Sequence, residues 1–411
     1  MNETVELTPV YLPPENLYML RDFVPPIVDG AYLQALGVRV SPSGETLAAL
    51  RRGSEAFKKR FASHTLLPVR ECRLAEHYPA PSAPEIHNYT GRCPTLTFEI
   101  NPVRGCGVGC QYCLVSDGIH GQPLVAYTDY AAFVAGLLDC YNGPGSANER
   151  HYYYFSPKTE ALQEATLQTG IAHAILRAFR DHFRRNPASQ ARLFVASKAG
   201  ARHLLAEDRG ESILDLFQQL QGKMQFNTSV SMMPSALRQL LEPYAAPIEE
   251  RLAAVRLCRE NGILAESALV QPIFPTFLTA QRIQSFFEAL KEAGIRNYKP
   301  EFLTVCMENL AMIGPLLGHF DKALERQLYE DYLLPSNADH RKQRGRTAPD
   351  RALSLALIER MKQQTDAMGL SISICYWVRK QLGITEQQIP LINAGGFQCL
   401  GYQSRLFDHV Q

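Results

Sequence analysis

The 411-residue sequence has almost no net charge. Its 42 Lys and Arg against 41 Asp and Glu leave +1 with His neutral. That balance removes the bulk basic field of a non-specific nucleic-acid binder and leaves room only for a local basic groove. Long apolar runs are missing too. AAFVAGLL at 131–138 is among the longest, well short of the roughly 18 residues of a membrane span. The first residues, MNETVELTPVYLPPE, carry neither a basic start nor an apolar stretch; no secretory signal is read there, and a cytoplasmic setting is expected. Cysteine is scarce at ten in the chain, too few for a disulfide scaffold and suited to a reducing compartment. No P-loop, G-x-S-x-G elbow or internal repeat is seen. What is plentiful is apolar residue, 46% against 20% charged, the composition of folded domains rather than of disorder.

Three segments differ in texture. Residues 1–93 are proline-rich and loop-like (YLPPEN, FVPPIV, HYPAPSAPE), with one helical pattern at Gly44–Ser63. From 94 to 318 short apolar runs alternate with amphipathic stretches. Strands are predicted at 95–100, 151–156, 192–197, 225–231, 263–270 and 301–306, and helices at about 128–140, 161–184, 211–221, 248–261 and 279–293. Alternation of this kind builds βαβ units and a parallel sheet. Six strands fit an α/β fold with a partial (β/α)6 TIM-type barrel better than a closed one of eight. Residues 319–411 read as a helical extension with a short strand, SISICYW, at 371–377.

Three of the cysteines, Cys106, Cys110 and Cys113, form a C-x3-C-x2-C group directly after the first predicted strand. Three thiolates on one loop can hold three irons of a [4Fe–4S] cube and leave the fourth without a protein ligand. Gly105, Gly107 and Gly109 allow the loop to fold tightly. Zinc is the alternative, but a structural zinc site wants four ligands in pairs, and no partner pair is present in the sequence. A non-catalytic zinc module therefore stands as the minor reading. The run GCGVGC also mimics a dinucleotide fingerprint, with Cys110 where the third glycine belongs.

The group, with Tyr112 before its last cysteine, resembles the signature of radical S-adenosylmethionine (SAM) enzymes. Five segments are similar to the spore photoproduct lyase-like branch of that superfamily. They are NPVRGCGVGCQYC (101–113), SPKTEALQEA (156–165), VASKAGARHLLAED (195–208), the Ser231…Glu242-Pro243…Glu250-Arg251 pattern, and VQPIFP (270–275). The resemblance implies a radical SAM barrel over about 95–310 with one [4Fe–4S] cluster on Cys106, Cys110 and Cys113. It further implies S-adenosyl-L-methionine on the open iron, cleaved reductively so that a hydrogen is abstracted from the substrate, and an electron donor such as flavodoxin or ferredoxin. It places cofactor contacts at Tyr112, Ser156, Thr159, Glu160, Lys198, Ser231 and Arg251, at the C-terminal strand ends where such barrels carry their sites. Glu160 could accept from the SAM ammonium, Lys198 and Ser231 could bind its carboxylate or ribose, and Arg251 could pair with a carboxylate. For each, a structural ion pair or a strand-end cap is the alternative.

One departure bears on substrate. The branch's DNA-repair member returns a hydrogen from a cysteine near the start of the second-strand segment, and the best-matching residue here is Ser156. A hydroxyl O–H bond is too strong for that role, which together with the neutral charge disfavours a nucleic-acid substrate. A small molecule or peptide is expected instead, with a lesion lyase or base-modifying enzyme as the alternative. Cys306, at the end of the predicted sixth strand, is the candidate hydrogen donor, weighed against a plain buried cysteine. Cys375 is a second such residue, while Cys140 on a predicted helix is poorly placed. The basic stretches RRGSEAFKKR (51–60) and HRKQRGR (340–346) read as solvated surface. HYYYF at 151–155 and Trp377 read as core.

Overall fold

A computed structural model of the chain describes residues 3–13, 20, 22–63, 66–78, 96–113, 122–334, 346–374, 378 and 382. Cys93, Cys375, Tyr376, Trp377, Cys399 and nearly all of HRKQRGR lie outside the described residues.

Seven parallel strands form one sheet: β1 (Leu96–Ile100), β2 (His151–Phe155), β3 (Ala191–Ser197), β4 (Met224–Val230), β5 (Leu264–Ile273), β6 (Asn297–Phe302) and β7 (Ser371–Ile372). Each pairs in parallel with the next in the chain, and the order is open at both ends. This is an unclosed α/β barrel. Its outer face is packed by α1 (Tyr130–Asn142), α2 (Ile171–Arg185), α3 (Ile213–Gln219), α4 (Ile248–Glu260), α5 (Ala280–Glu292) and α6 (Arg351–Met368). The alternation along β2 is visible in its neighbours. Tyr153 and Phe155 enter the large outer core, whereas Tyr152 and Tyr154 join Phe194 on the opposite face. That is the two-sided burial expected of a parallel strand.

Two strand expectations are corrected. The sixth strand is NYKPEF, not EFLTVC: β6 ends at Phe302, and Val305–Cys306 leaves the sheet to pair antiparallel with Arg346–Thr347. Lys299, Pro300 and Glu301 obscured it, since a proline argues against a central strand. Among the described residues β7 pairs with β6 only at Asn297 and Tyr298, before the proline. The sheet also gains a seventh strand, from the C-terminal segment. The long predicted helix at 161–184 is in fact Glu164–Leu167 followed by α2, with Gly170 at φ 71° between them.

The flanking segments pack on the barrel. Thr4–Glu6 and Glu71–Ala75 extend a four-stranded sheet that contains Leu124–Tyr127 and Val103–Arg104, the strand entering the cysteine loop. A second hydrophobic core joins Leu50 and Phe57 of the N-terminal helix Gly44–Ala62 to Leu310, Ile313 and Leu317 of the helix Met307–Phe320. Cys110 and Tyr112 of the loop lie in the same core. The two helices cross at Gly53, where a Cβ would stand 2.4 Å from the Glu308 Cα. Only glycine admits that approach without displacing backbone.

Candidate functional site

The cysteine loop begins where β1 ends. Gly105 and Gly109 take φ of 95° and 69°, a region that L side chains rarely adopt, and so turn the chain immediately before Cys106 and before Cys110. Gly107 is held instead by side chains. Its N–H donates to Gln163 Oε1 at 2.7 Å, and its carbonyl accepts from Arg70 Nη1 at 3.1 Å. Gln163 also donates to the Gly105 carbonyl. Arg70 in turn stands 3.3 Å from the buried Glu164 and stacks over the Tyr244 ring. On the far side of the loop Gln111 donates to the Leu66 and Gly109 carbonyls. The loop is thus clamped between the segment after β2 and residues 66–70.

All three sulfurs lie within electrostatic reach of one another. Burial pushes the Cys106 thiol up to about 12 and Cys110 well above its ordinary value, and the neighbouring thiols push the same way. Buried thiols in such surroundings stay protonated unless a cation takes the place of the protons. Among the described residues no group of three or more His, Cys, Asp or Glu is placed to hold a single metal ion.

The strand ends around the loop carry the other expected residues. Ser156, just after β2, has φ 53°, a conformation uncommon for a non-glycine residue and concentrated at functional sites. Its hydroxyl, together with those of Thr159 and Ser231, is buried with no hydrogen-bond partner among the described residues. Such groups are rare because each carries a desolvation cost of about 1–3 kcal/mol. A polar ligand that hydrogen-bonds here would remove that cost.

Glu160 is buried and fully engaged. It accepts from the Leu162 and Lys198 N–H groups at 3.1 and 2.7 Å and from the Ser197 hydroxyl. Burial raises its pKa, and these donors oppose the shift. Lys198, Arg251 and Tyr112 converge on a residue that no sequence expectation assigned a role, Glu242. The Lys198 ammonium is 3.0 Å from Glu242 Oε1, which also accepts from the Tyr112 hydroxyl, and the Arg251 guanidinium holds Glu242 Oε2. Arg251 is fully buried, and its remaining donors go to the Ala246 and Ser229 carbonyls at 2.7 and 2.9 Å. Burial pushes the Glu242 carboxyl up, but Arg251 and Lys198 outweigh it and hold the group well below the usual carboxylate range. Sequence had flagged Glu242 only as half of the Glu-Pro pair. Arg70 and Gln163, the loop clamps, also had no assigned role.

Cys306 lies apart from the sheet, half-buried at the N-terminus of the helix Met307–Phe320. Its expected place at a barrel strand end is lost with the corrected sixth strand. Cys140 is exposed on α1, and Cys72 and Cys258 are buried in the outer core.

No protein-family model and no curated protein matches the chain. Among solved structures, one single-residue variant of spore photoproduct lyase matches over 89% of this chain and 99% of its own, with TM-score 0.50 and 14% identity. A second variant of that lyase matches over 90% and 99%, with TM-score 0.49 and 16% identity. TsrM from Kitasatospora setae, a radical S-adenosylmethionine methyltransferase, matches over 61% of this chain and 42% of its own, with TM-score 0.38 and 17% identity. Taken with the unclosed sheet and its two flanking segments, the first match means that this chain has the fold of spore photoproduct lyase along nearly its whole length.

Proposed function

We propose that this chain is a radical SAM enzyme, with one [4Fe–4S] cluster on Cys106, Cys110 and Cys113 and S-adenosyl-L-methionine beside it. The observation that supports the reading is a C-x3-C-x2-C loop whose Cys106 lies beside Glu160, in a barrel of this fold whose strand ends carry three buried hydroxyls, Ser156, Thr159 and Ser231, without partners among the described residues. Three thiols gathered on one loop, two of them held protonated by burial, suit a cationic iron cluster, and the hydroxyls suit a polar cofactor. Bound together, cluster and SAM supply one-electron cleavage of the sulfonium and abstraction of a substrate hydrogen.

The protein's part is positioning. Gln163 and Arg70 fix the loop backbone between Cys106 and Cys110. Ser197 and the Lys198 amide fix the Glu160 carboxylate, which would accept from a cofactor ammonium. Arg251 keeps Glu242 ionised, and Glu242 aims the Lys198 ammonium and the Tyr112 hydroxyl. In this arrangement Arg251 acts through Glu242 rather than on the cofactor. The second core, built from both flanks, surrounds Cys110 and Tyr112 with apolar side chains and excludes water from that side.

The substrate on this reading is a small molecule or peptide, and a flavodoxin or ferredoxin is the expected electron donor. A nucleic-acid lyase is the second reading, favoured by the match to 99% of the lyase chain and opposed by Ser156 in place of a cysteine. Anaerobic enzyme, dithionite and SAM test the first reading by release of 5′-deoxyadenosine. Release that appears only with DNA present and fades steeply with salt would favour the second.

A further inference from the structure

Two ion pairs on the inner face of the barrel are asymmetric in their exposure. Phe98 and Ile100 of β1 enter the outer core, so Glu99 points to the opposite face, as Tyr154 does from β2. Tyr298 of β6 likewise enters the outer core and leaves Lys299 and Glu301 on the inner face. Glu99 is 2.9 Å from Lys158; its side chain is 1% exposed and its partner's is 40%. Lys299 is 3.2 Å from Glu301, at 7% and 39%. Each pair thus joins a buried, fixed charge to an accessible one on a flexible stem. Asn101 fixes Glu99 further, donating to Oε2 at 3.0 Å. The Tyr154 hydroxyl, buried between strands, lies within electrostatic reach of Glu99, Glu160, Lys299 and Glu301 together. Both pairs therefore face the barrel interior, and Tyr154 links them electrostatically to Glu160 of the proposed cofactor site.

An exposed partner adds little to an ion pair, because water and salt screen it. A ligand charge that replaces the accessible partner and closes the chamber to water gains a desolvated pair with a fixed, preorganised group. The fixed groups have opposite signs, negative on β1 and positive on β6. We infer that the substrate is a zwitterionic α-amino acid, its ammonium held by Glu99 and its carboxylate by Lys299 as Lys158 and Glu301 swing out. This deepens the proposed function and rests on it. A phosphodiester backbone, anionic only, would be repelled at Glu99.

The test is equilibrium dialysis of the full chain against three pools: the standard L-α-amino acids, the matching amines without the carboxylate, and the matching acids without the amine. Retained compounds are identified by mass spectrometry. One or a few amino acids are expected to be retained, with the matching amine and acid at least about tenfold weaker. Glu99→Gln and Lys299→Met should each weaken retention about tenfold or more. Lys158→Ala and Glu301→Ala remove the competing charges and should strengthen it a few-fold. Retention of nothing from the amino-acid pool overturns the inference, as does equal retention of the amine or acid. Loss of retention in Lys158→Ala matching that in Glu99→Gln also overturns it, because the pairs would then be structural. Measuring SAM cleavage on the same preparations separates the failures. Cleavage without amino-acid retention sinks the substrate class alone, and retention without cleavage sinks the enzyme reading.

Discussion

Glu242→Leu is the most informative single change in the buried network. It strips the counter-charge from Arg251, which is fully buried and has no route to solvent. Removing one member of a buried ion pair costs roughly 3–5 kcal/mol, because the other charge is left uncompensated. Arg251→Met should cost a similar amount for the mirror reason. The double variant replaces the pair with apolar volume, and Lys198, whose side chain is 15% exposed, can turn outward. The two losses should therefore fall short of additive by at least about 2 kcal/mol. Urea denaturation of the reduced apoprotein, with m-values compared across all four proteins, measures this. Because Arg251 and Lys198 hold the Glu242 pKa below its unfolded value, the pair's stabilisation is present above the unfolded pKa and is lost only as pH falls through the folded one. The coupling should be the same at pH 7 and pH 5. Additive losses at either pH would refute the claim that Glu242 and Arg251 act as one unit.

Three further outcomes are expected. Gly53→Ala drives a Cβ into the Glu308 backbone and should lower stability by about 1–3 kcal/mol in the same urea assay; an unchanged midpoint would mean that the helices do not cross there. Gln163→Ala leaves the Gly107 N–H without its acceptor, a loss of about 1–3 kcal/mol at the loop, and should lower the iron retained after anaerobic gel filtration. Wild-type iron content in that variant would show that the clamp is dispensable. Burial depresses His203 to about 4, with the Arg251 charge adding to the shift. A depressed histidine stabilises the fold above its unfolded pKa of about 6.5 and loses that contribution as pH falls toward 4, on the order of 3 kcal/mol. His203→Gln should flatten the stability profile between those limits, and a profile that stays as steep as wild type would assign the acid loss elsewhere.

Much of this arrangement was legible in the sequence because it is local. The alternation of short apolar runs with helices gave β1 to β5 almost in place, and the cysteine spacing singled out the loop. Ser156, Thr159, Glu160, Lys198 and Ser231 follow strand ends and could be found the same way. What was hidden depends on distant contacts. β6 carries a proline and two charged residues, which the apolar-run signal of a central strand does not anticipate. The helix Met307–Phe320 is buried on nearly every side and contains Pro315, so it shows neither an amphipathic stripe nor a clean helical signal. Arg70 reaches the loop from 37 residues away, and Glu242 gains its importance from Lys198 and Arg251 on other elements. The N-terminal segment, rich in proline, gave no hint that its strands would extend the sheet entering the cysteine loop.

On the proposed reading the three loop cysteines hold an iron–sulfur cluster that cleaves SAM. Anaerobically purified protein should be brown, bind about four irons and four sulfides per chain, and release 5′-deoxyadenosine from SAM under dithionite, with both properties lost in Cys106→Ala. A colourless, zinc-loaded protein that leaves SAM intact, or a Cys106→Ala variant with full cleavage, would contradict it.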